Sequence, residues 1–99
     1  MSKPSLKRLG FLCWIRDFST DTQPCYLHNT DNLLLMSYGI SVWDGIIATT
    51  AEKAGLIRIE RECFVYLTDA GRAILEKYAK TAKKIPCEYA NRLAKLEIP

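Results

Sequence analysis

Cys25 and His28 stand three positions apart, a spacing that lets a thiolate and an imidazole share one metal ion or one substrate. Zinc needs three or four ligands, and no second Cys or His pair stands in register with this one. Cys13, Cys63 and Cys87 are widely separated, and no CxxC pair occurs. A Cys25–His28 dyad would be cramped, and nothing nearby supplies an oxyanion hole. His28 is the single histidine, and there is no carboxylate pair, glycine-rich phosphate loop or nucleophile elbow. The sequence therefore predicts no catalytic residue, no metal, no cofactor and no enzyme activity. The four cysteines read as reduced thiols, with Cys13 and Cys63 behaving as small apolar core residues.

The cationic side chains offer the other chemistry. The net charge is +3, and the excess is uneven. Residues 1–51 carry four basic and four acidic side chains; residues 52–99 carry ten and seven. Most of the surplus lies in "RAILEKYAKTAKK" (72–84), which suits an acidic partner or a solvated lysine-rich helix face. The chain of 99 residues is 48% hydrophobic and 25% charged, as expected of one globular domain with a modest core. Apolar runs such as "FLCWI" and "LLLM" fall far short of the ~20 residues that span a bilayer. The N-terminal lysines and apolar residues resemble an export signal, but Arg16 and Asp17 interrupt them and no cleavage site follows. A cytoplasmic protein beginning with an amphipathic helix is expected, with no membrane partner.

The elements that must position these residues follow from periodicity and punctuation. A first helix is expected over about Pro4–Phe18, with Leu6, Leu9, Leu12 or Cys13, and Ile15 or Arg16 on its core stripe. After the polar stretch "STDTQPCYLHNTD", in which "PCYLH" suits a short extended piece, a second helix starts at Thr30 or Asp31 and ends at Gly39. Ser41 and Asp44 are spaced as a capping box for a third helix, which stops at Gly55. Trp43, Ile46 or Ile47, Thr50 and Ala54 share its expected core stripe. That leaves Ser41, Asp44, Gly45, Ala48, Thr49 and Glu52 outside. "LIRIE" (56–60) alternates and "CFVYLT" (63–68) is β-branched and aromatic, so the two read as strands of a tight antiparallel hairpin, although Arg61-Glu62 is not a turn signal. Thr68 caps a helix with Ile74, Tyr78, Ala82 and Ile85 on one stripe, and Pro86 stops it. A last helix, about 87–96, carries Tyr89, Leu93 and Leu96 inward.

Within this order, "AEKAGLIRIERECFVYLTDAGRAIL" (51–75) carries a helix-ending Gly55-Leu56 step and then Leu67, Thr68, Gly71 and Arg72. This stretch resembles the recognition-helix end, wing and following helix of MarR- and PadR-type winged helix-turn-helix regulators. The likeness is specific over about 25 residues and only topological over residues 4–50. It implies a mainly α fold with a small antiparallel β-hairpin (α+β), ordered helix-helix-helix-strand-strand-helix plus a C-terminal helix. Residues 1–85 would form the winged-helix domain, and 86–99 an extension packed on it or used for dimerisation. It also implies that helix 41–54 and the wing 56–68 meet duplex DNA, as in a transcriptional regulator.

On that reading Ser41, Thr49, Lys53, Arg58, Arg61 and Arg72 are the nucleic-acid-binding residues. Lys3, Lys7 and Arg8 add phosphate contacts. The third helix holds no Arg, Asn or Gln, the side chains that best read base edges. Asp44 near its start repels phosphate, and Arg61 lies between Glu60 and Glu62. The alternative is a winged-helix scaffold that binds a protein, as an adaptor or a phage-type inhibitor, with Tyr26 and Trp43 as anchors. A homodimer is compatible with either reading.

Overall fold

The computed structural model describes residues 4–20, 22–27, 32–40 and 45–86. The expected last helix (87–96), the caps at Thr30, Asp31, Ser41 and Asp44, Trp43 and His28 lie outside these residues. The chain is a mixed α+β protein. Its order is α1 (Leu6–Asp17), β1 (Cys25–Tyr26), α2 (Asn32–Ser37), α3 (Gly45–Lys53), β2 (Ile57–Glu60), β3 (Phe64–Leu67), α4 (Asp69–Lys77) and α5 (Ala79–Ala82). The strands form one antiparallel sheet in the order β1-β3-β2. Two strands were expected and three are present. β1 has only two residues, too few for an alternation to be read, although "PCYLH" marked its place.

Ser5 starts α1 by accepting a hydrogen bond from the Arg8 N–H (3.0 Å), the role of a helix N-cap. Seven consecutive residues, Leu9 to Ile15, are buried. The expected amphipathic stripe is thus a helix buried on every face over two turns, with Phe11, Leu12, Cys13, Trp14 and Ile15 wholly inaccessible. It runs through the middle of the molecule, contacting α3, α4, α5 and β3.

α3 ends in a reversal that sets the path of β2. Gly55 has φ +77°, the Leu56 N–H donates to Ala51 O (3.1 Å) and the Gly55 N–H to Glu52 O (2.9 Å). This is the pattern of a Schellman motif. Leu56 then enters the core. At the far end of the hairpin the Cys63 N–H donates to Glu60 O (3.2 Å), closing a turn in which Arg61 (φ 54°) and Glu62 (φ 64°) are both left-handed. That conformation is costly for side chains with a Cβ, roughly 1 kcal/mol each, and Asn-Gly, the pair that signals such a turn in a sequence, is absent.

Thr68 joins the hairpin to α4. Its hydroxyl donates to Gly55 O (2.6 Å) and accepts from the Gly71 N–H (3.2 Å). The Thr68 N–H donates to Leu56 O (3.1 Å). A Cβ on Gly71 would collide with that same Leu56 carbonyl, so α4 crosses the hairpin at a distance only glycine permits. The helix expected to run unbroken to Pro86 breaks instead at Tyr78 (φ −109°, ψ 34°), where no glycine or proline announces it. The inward stripe survives the break, with Ala82 and Ile85 buried and Ile74 and Tyr78 half-buried.

Gly71→Ala is expected to destabilise the protein by roughly 2–3 kcal/mol, the cost of forcing a methyl into a packed contact. Gly45→Ala should be neutral or stabilising by up to about 1 kcal/mol, because nothing lies within 4 Å of the added methyl. Urea midpoints at unchanged slope measure both, and equal midpoints for the two variants would contradict the close crossing.

Candidate nucleic-acid interface

α3 presents its outer face through residues spaced three and four apart, which share one side of a helix. Ile47, Ala48 and Ala51 are buried. Ile46, Thr49, Thr50 and Lys53 are exposed. The expected core stripe therefore needs correcting: Thr50 and Ala54 face outward and Ala48 inward. The sequence left Ile46 and Ile47 interchangeable, and packing decides for Ile47. Ile46 is 67% exposed, more than Phe18, Tyr26 or Met36, the other large apolar side chains that reach the surface among the described residues.

The hydroxyl protons of this face are already engaged. The Thr49 hydroxyl donates to Gly45 O (2.8 Å) and the Thr50 hydroxyl to Ile46 O (2.8 Å). Glu52 turns sideways, its Oε2 accepting from the Ile59 N–H (3.2 Å). β2 is an outer strand of the sheet. The Leu56–Thr68 bond puts residues 56, 58 and 60 on the side facing β3, so the Ile59 N–H points out from the edge. Glu52 thus caps a backbone donor that would otherwise be open to another chain.

Cations flank α3. A hollow of about 190 Å³ is lined by Ser5, Lys7, Arg8, Ile46, Ile47 and Thr50, so the N-terminal turn of α1 lies alongside the outer face of α3. Lys53 stands at the other end of α3 and Arg61 at the hairpin tip, both exposed. Arg58 pairs with Glu60 (3.1 Å) and sits over the Tyr66 ring (4.6 Å to the centroid). Arg72 reaches Asp69 at 3.4 Å, both side chains well exposed. Exposed pairs of this kind contribute about 0–1 kcal/mol, so neither arginine is strongly held from a phosphate.

The six residues expected to bind nucleic acid therefore separate. Thr49 and Lys53 lie on α3, Arg58 and Arg61 on the hairpin. Arg72 opens instead on a groove of about 680 Å³ that also includes Arg16, Tyr66 and Lys83, at the opposite end of α1 from Lys7 and Arg8. Ser41 lies outside the described residues. Lys7 and Arg8 were legible as cations, but their place beside α3 depends on how α1 crosses it. The outer face of the sheet is aromatic, and Tyr26, one of the two anchors expected for a protein partner, lies on it. Tyr26 is 46% exposed and its ring lies 5.8 Å from that of Phe64.

At the C-terminal end of α1, Arg16 holds Asp17 through two hydrogen bonds, Nε to Oδ1 (2.7 Å) and Nη2 to Oδ2 (3.1 Å). The Tyr38 hydroxyl donates to Asp17 Oδ2 (2.7 Å), and Arg16 Nη2 also reaches Ile85 O (3.2 Å). The Asp17 carboxylate thus ties α1 to the end of α2, and the Arg16 guanidinium beside it ties α1 to the segment after α5. Partial burial opposes the charge on Asp17, but the hydrogen bonds from Arg16 and Tyr38 outweigh it and lower its pKa. Burial, then the bond to Asp17, raises that of Tyr38. Burial raises the Cys13 thiol and pushes that of Cys25 up to about 12, so neither supplies a thiolate nucleophile near neutrality. Among the described residues no group of three metal-ligating side chains occurs, and no helix is long and apolar enough to cross a membrane.

No protein-family model, curated protein or solved structure matches this chain.

The network makes stability sensitive at both pH extremes. Asp17 contributes stability in full above the unfolded carboxylate value of about 3.9, and loses it as the pH falls through the lower folded value. Tyr38 contributes below the unfolded phenol value of about 10 and loses it as the pH rises toward its higher folded value. Asp17→Asn should cost about 1 kcal/mol near neutrality and flatten the acid limb of a stability–pH profile. An unchanged acid limb would show that the network carries no such coupling.

Proposed function

We propose that this chain is a winged helix-turn-helix protein that binds duplex DNA through α3 and the β2–β3 hairpin, as a small transcriptional regulator would. The observation that carries the reading is the exposed outer face of α3 with Lys7 and Arg8 of α1 beside it. An exposed helix flanked by cations is the arrangement a major groove accepts, with the helix among base edges and the cations on phosphates. The order α1-β1-α2-α3-β2-β3-α4 supports it, with the hairpin in the position of a wing and Arg61 at its tip. Neither α3 nor the hairpin is strongly basic, so affinity rests on few phosphate contacts and falls quickly with salt.

The second reading is a protein-binding scaffold. Ile46 and Met36 favour it, at 67% and 41% exposure, since exposed large apolar side chains also mark protein interfaces.

A gel shift with random-sequence duplex at low salt separates the two. On the DNA reading the duplex shifts, Lys7→Ala, Arg8→Ala and Arg61→Ala each weaken binding for all sequences alike, and each lowers the salt slope by about one. A duplex whose mobility never changes at low salt eliminates that reading. A solution mass measured alongside tests the homodimer, because a dimer suits two half-sites one helical turn apart.

A further inference from the structure

We propose that α3 selects duplexes by the C5-methyl groups of their pyrimidines, with Ile46 as the reading side chain and thymine or 5-methylcytosine as the base it takes. This rests on the DNA-binding reading above and adds the class of sequence that the same surface prefers. A base-reading helix ordinarily offers Arg, Asn or Gln, which form paired hydrogen bonds with base edges. The described outer face of α3 offers Ile46 at its first turn, Thr49 and Thr50 at the second and Lys53 at the last. Both threonine hydroxyls donate to carbonyls of the helix, so neither has a proton left for a base acceptor such as thymine O4 or guanine O6, and each also presents a methyl group. Glu52 is turned to the Ile59 N–H and does not place a carboxylate toward the groove. Among the described residues the large apolar element of this surface is Ile46, edged by Lys7 and Arg8 on one side and Lys53 at its end.

That pattern has one complement in the major groove. Every hydrogen-bonding base edge pressed against Ile46 would lose water and gain no partner. The C5-methyl of thymine is the apolar group the groove displays, and it is the group Ile46 can cover without such a loss. The flanking cations match the phosphates on either side of the groove. Each methyl buried this way tightens binding about three- to fourfold, the factor for removing one such group from water.

Fluorescence polarisation at low salt tests this with an alternating dA·dT duplex and the same duplex carrying deoxyuridine for thymidine. The two differ only in the C5-methyl and present the same minor-groove groups. Binding to the deoxyuridine duplex should be at least about threefold weaker. Cytosine methylation should tighten binding to a G·C duplex by a similar factor. Ile46→Ala should abolish both differences while keeping the affinity for the deoxyuridine duplex, and the exposure of Ile46 makes loss of the fold by this variant unexpected. Thr49→Val should leave the discrimination intact, because the hydroxyl it removes is bonded inward; a loss there would mean that the hydroxyl reads a base, and would overturn the proposal. Lys7→Ala should weaken both duplexes equally. Equal, measurable affinity for the thymine and deoxyuridine duplexes overturns methyl reading and leaves DNA binding standing. Failure to bind any duplex at low salt overturns both.

Discussion

The Leu56 carbonyl is the point on which the arrangement turns. It accepts the Thr68 N–H and lies against the face of Gly71 that has no side chain. Thr68 returns its hydroxyl to Gly55 O and caps α4 with the same oxygen. Four elements, α3, β2, β3 and α4, are therefore fixed relative to one another within one small junction. A glycine with positive φ lets α3 reverse there without the cost a Cβ would bring, and only a glycine lets α4 approach. Because α3 ends in this junction, its rotation about its own axis is set by it. That rotation puts Ile47, Ala48 and Ala51 inward and leaves Ile46 outside.

Much of this junction was legible, because its parts are local. Gly55-Leu56 and Leu67-Thr68-x-x-Gly71 mark a helix end, a buried side chain, a cap and a close crossing, and each takes that role in the structure. The hairpin strands were legible from the alternation of "LIRIE" and the β-branched and aromatic residues of "CFVYLT". Properties decided across the fold were not. Gly10 gives no sign in sequence that the Tyr38 carbonyl lies against it. The two-residue β1 exists because β3 offers it hydrogen bonds, not through any propensity of its own. The core stripe of α3 was misplaced because Thr50 and Ala54 fit the same period as the true stripe, and only packing against α1 and β2 separates them.

The candidate interface shows the same division. Lys53, Arg58, Arg61 and Arg72 could be picked out as cations, but charge alone does not say which cations share a face. Arg72 lies in the groove with Arg16 and Lys83, whereas Lys7 and Arg8 lie beside α3. α1 separates the two sets, since Arg8 and Arg16 are eight residues apart on one helix, about 12 Å at the usual rise. On the proposed DNA reading the footprint is the N-terminal turn of α1, the outer face of α3 and the hairpin tip. Arg72, carried over from the resemblance, then plays no part in it.

Glu52 connects the stability of the hairpin to the character of α3. As a free carboxylate on a helix facing phosphates it would oppose binding. Bound to the Ile59 N–H it keeps its charge but is drawn to the sheet edge that it closes, and the same bond holds α3 against β2. The two left-handed residues at the hairpin tip act in the opposite direction, since Arg61 and Glu62 occupy positions where Asn-Gly would cost less. Glycine there would relieve the turn but remove the one cation at the tip of the hairpin. On the proposed reading that cation is the wing's contact with phosphate, and strain of about 1 kcal/mol per residue is small beside the loss of a charged contact to a polyanion. The strained turn and the apolar helix face are then parts of one arrangement. Cations at the edges hold the backbone, and the centre of α3 is left for contacts that need no charge.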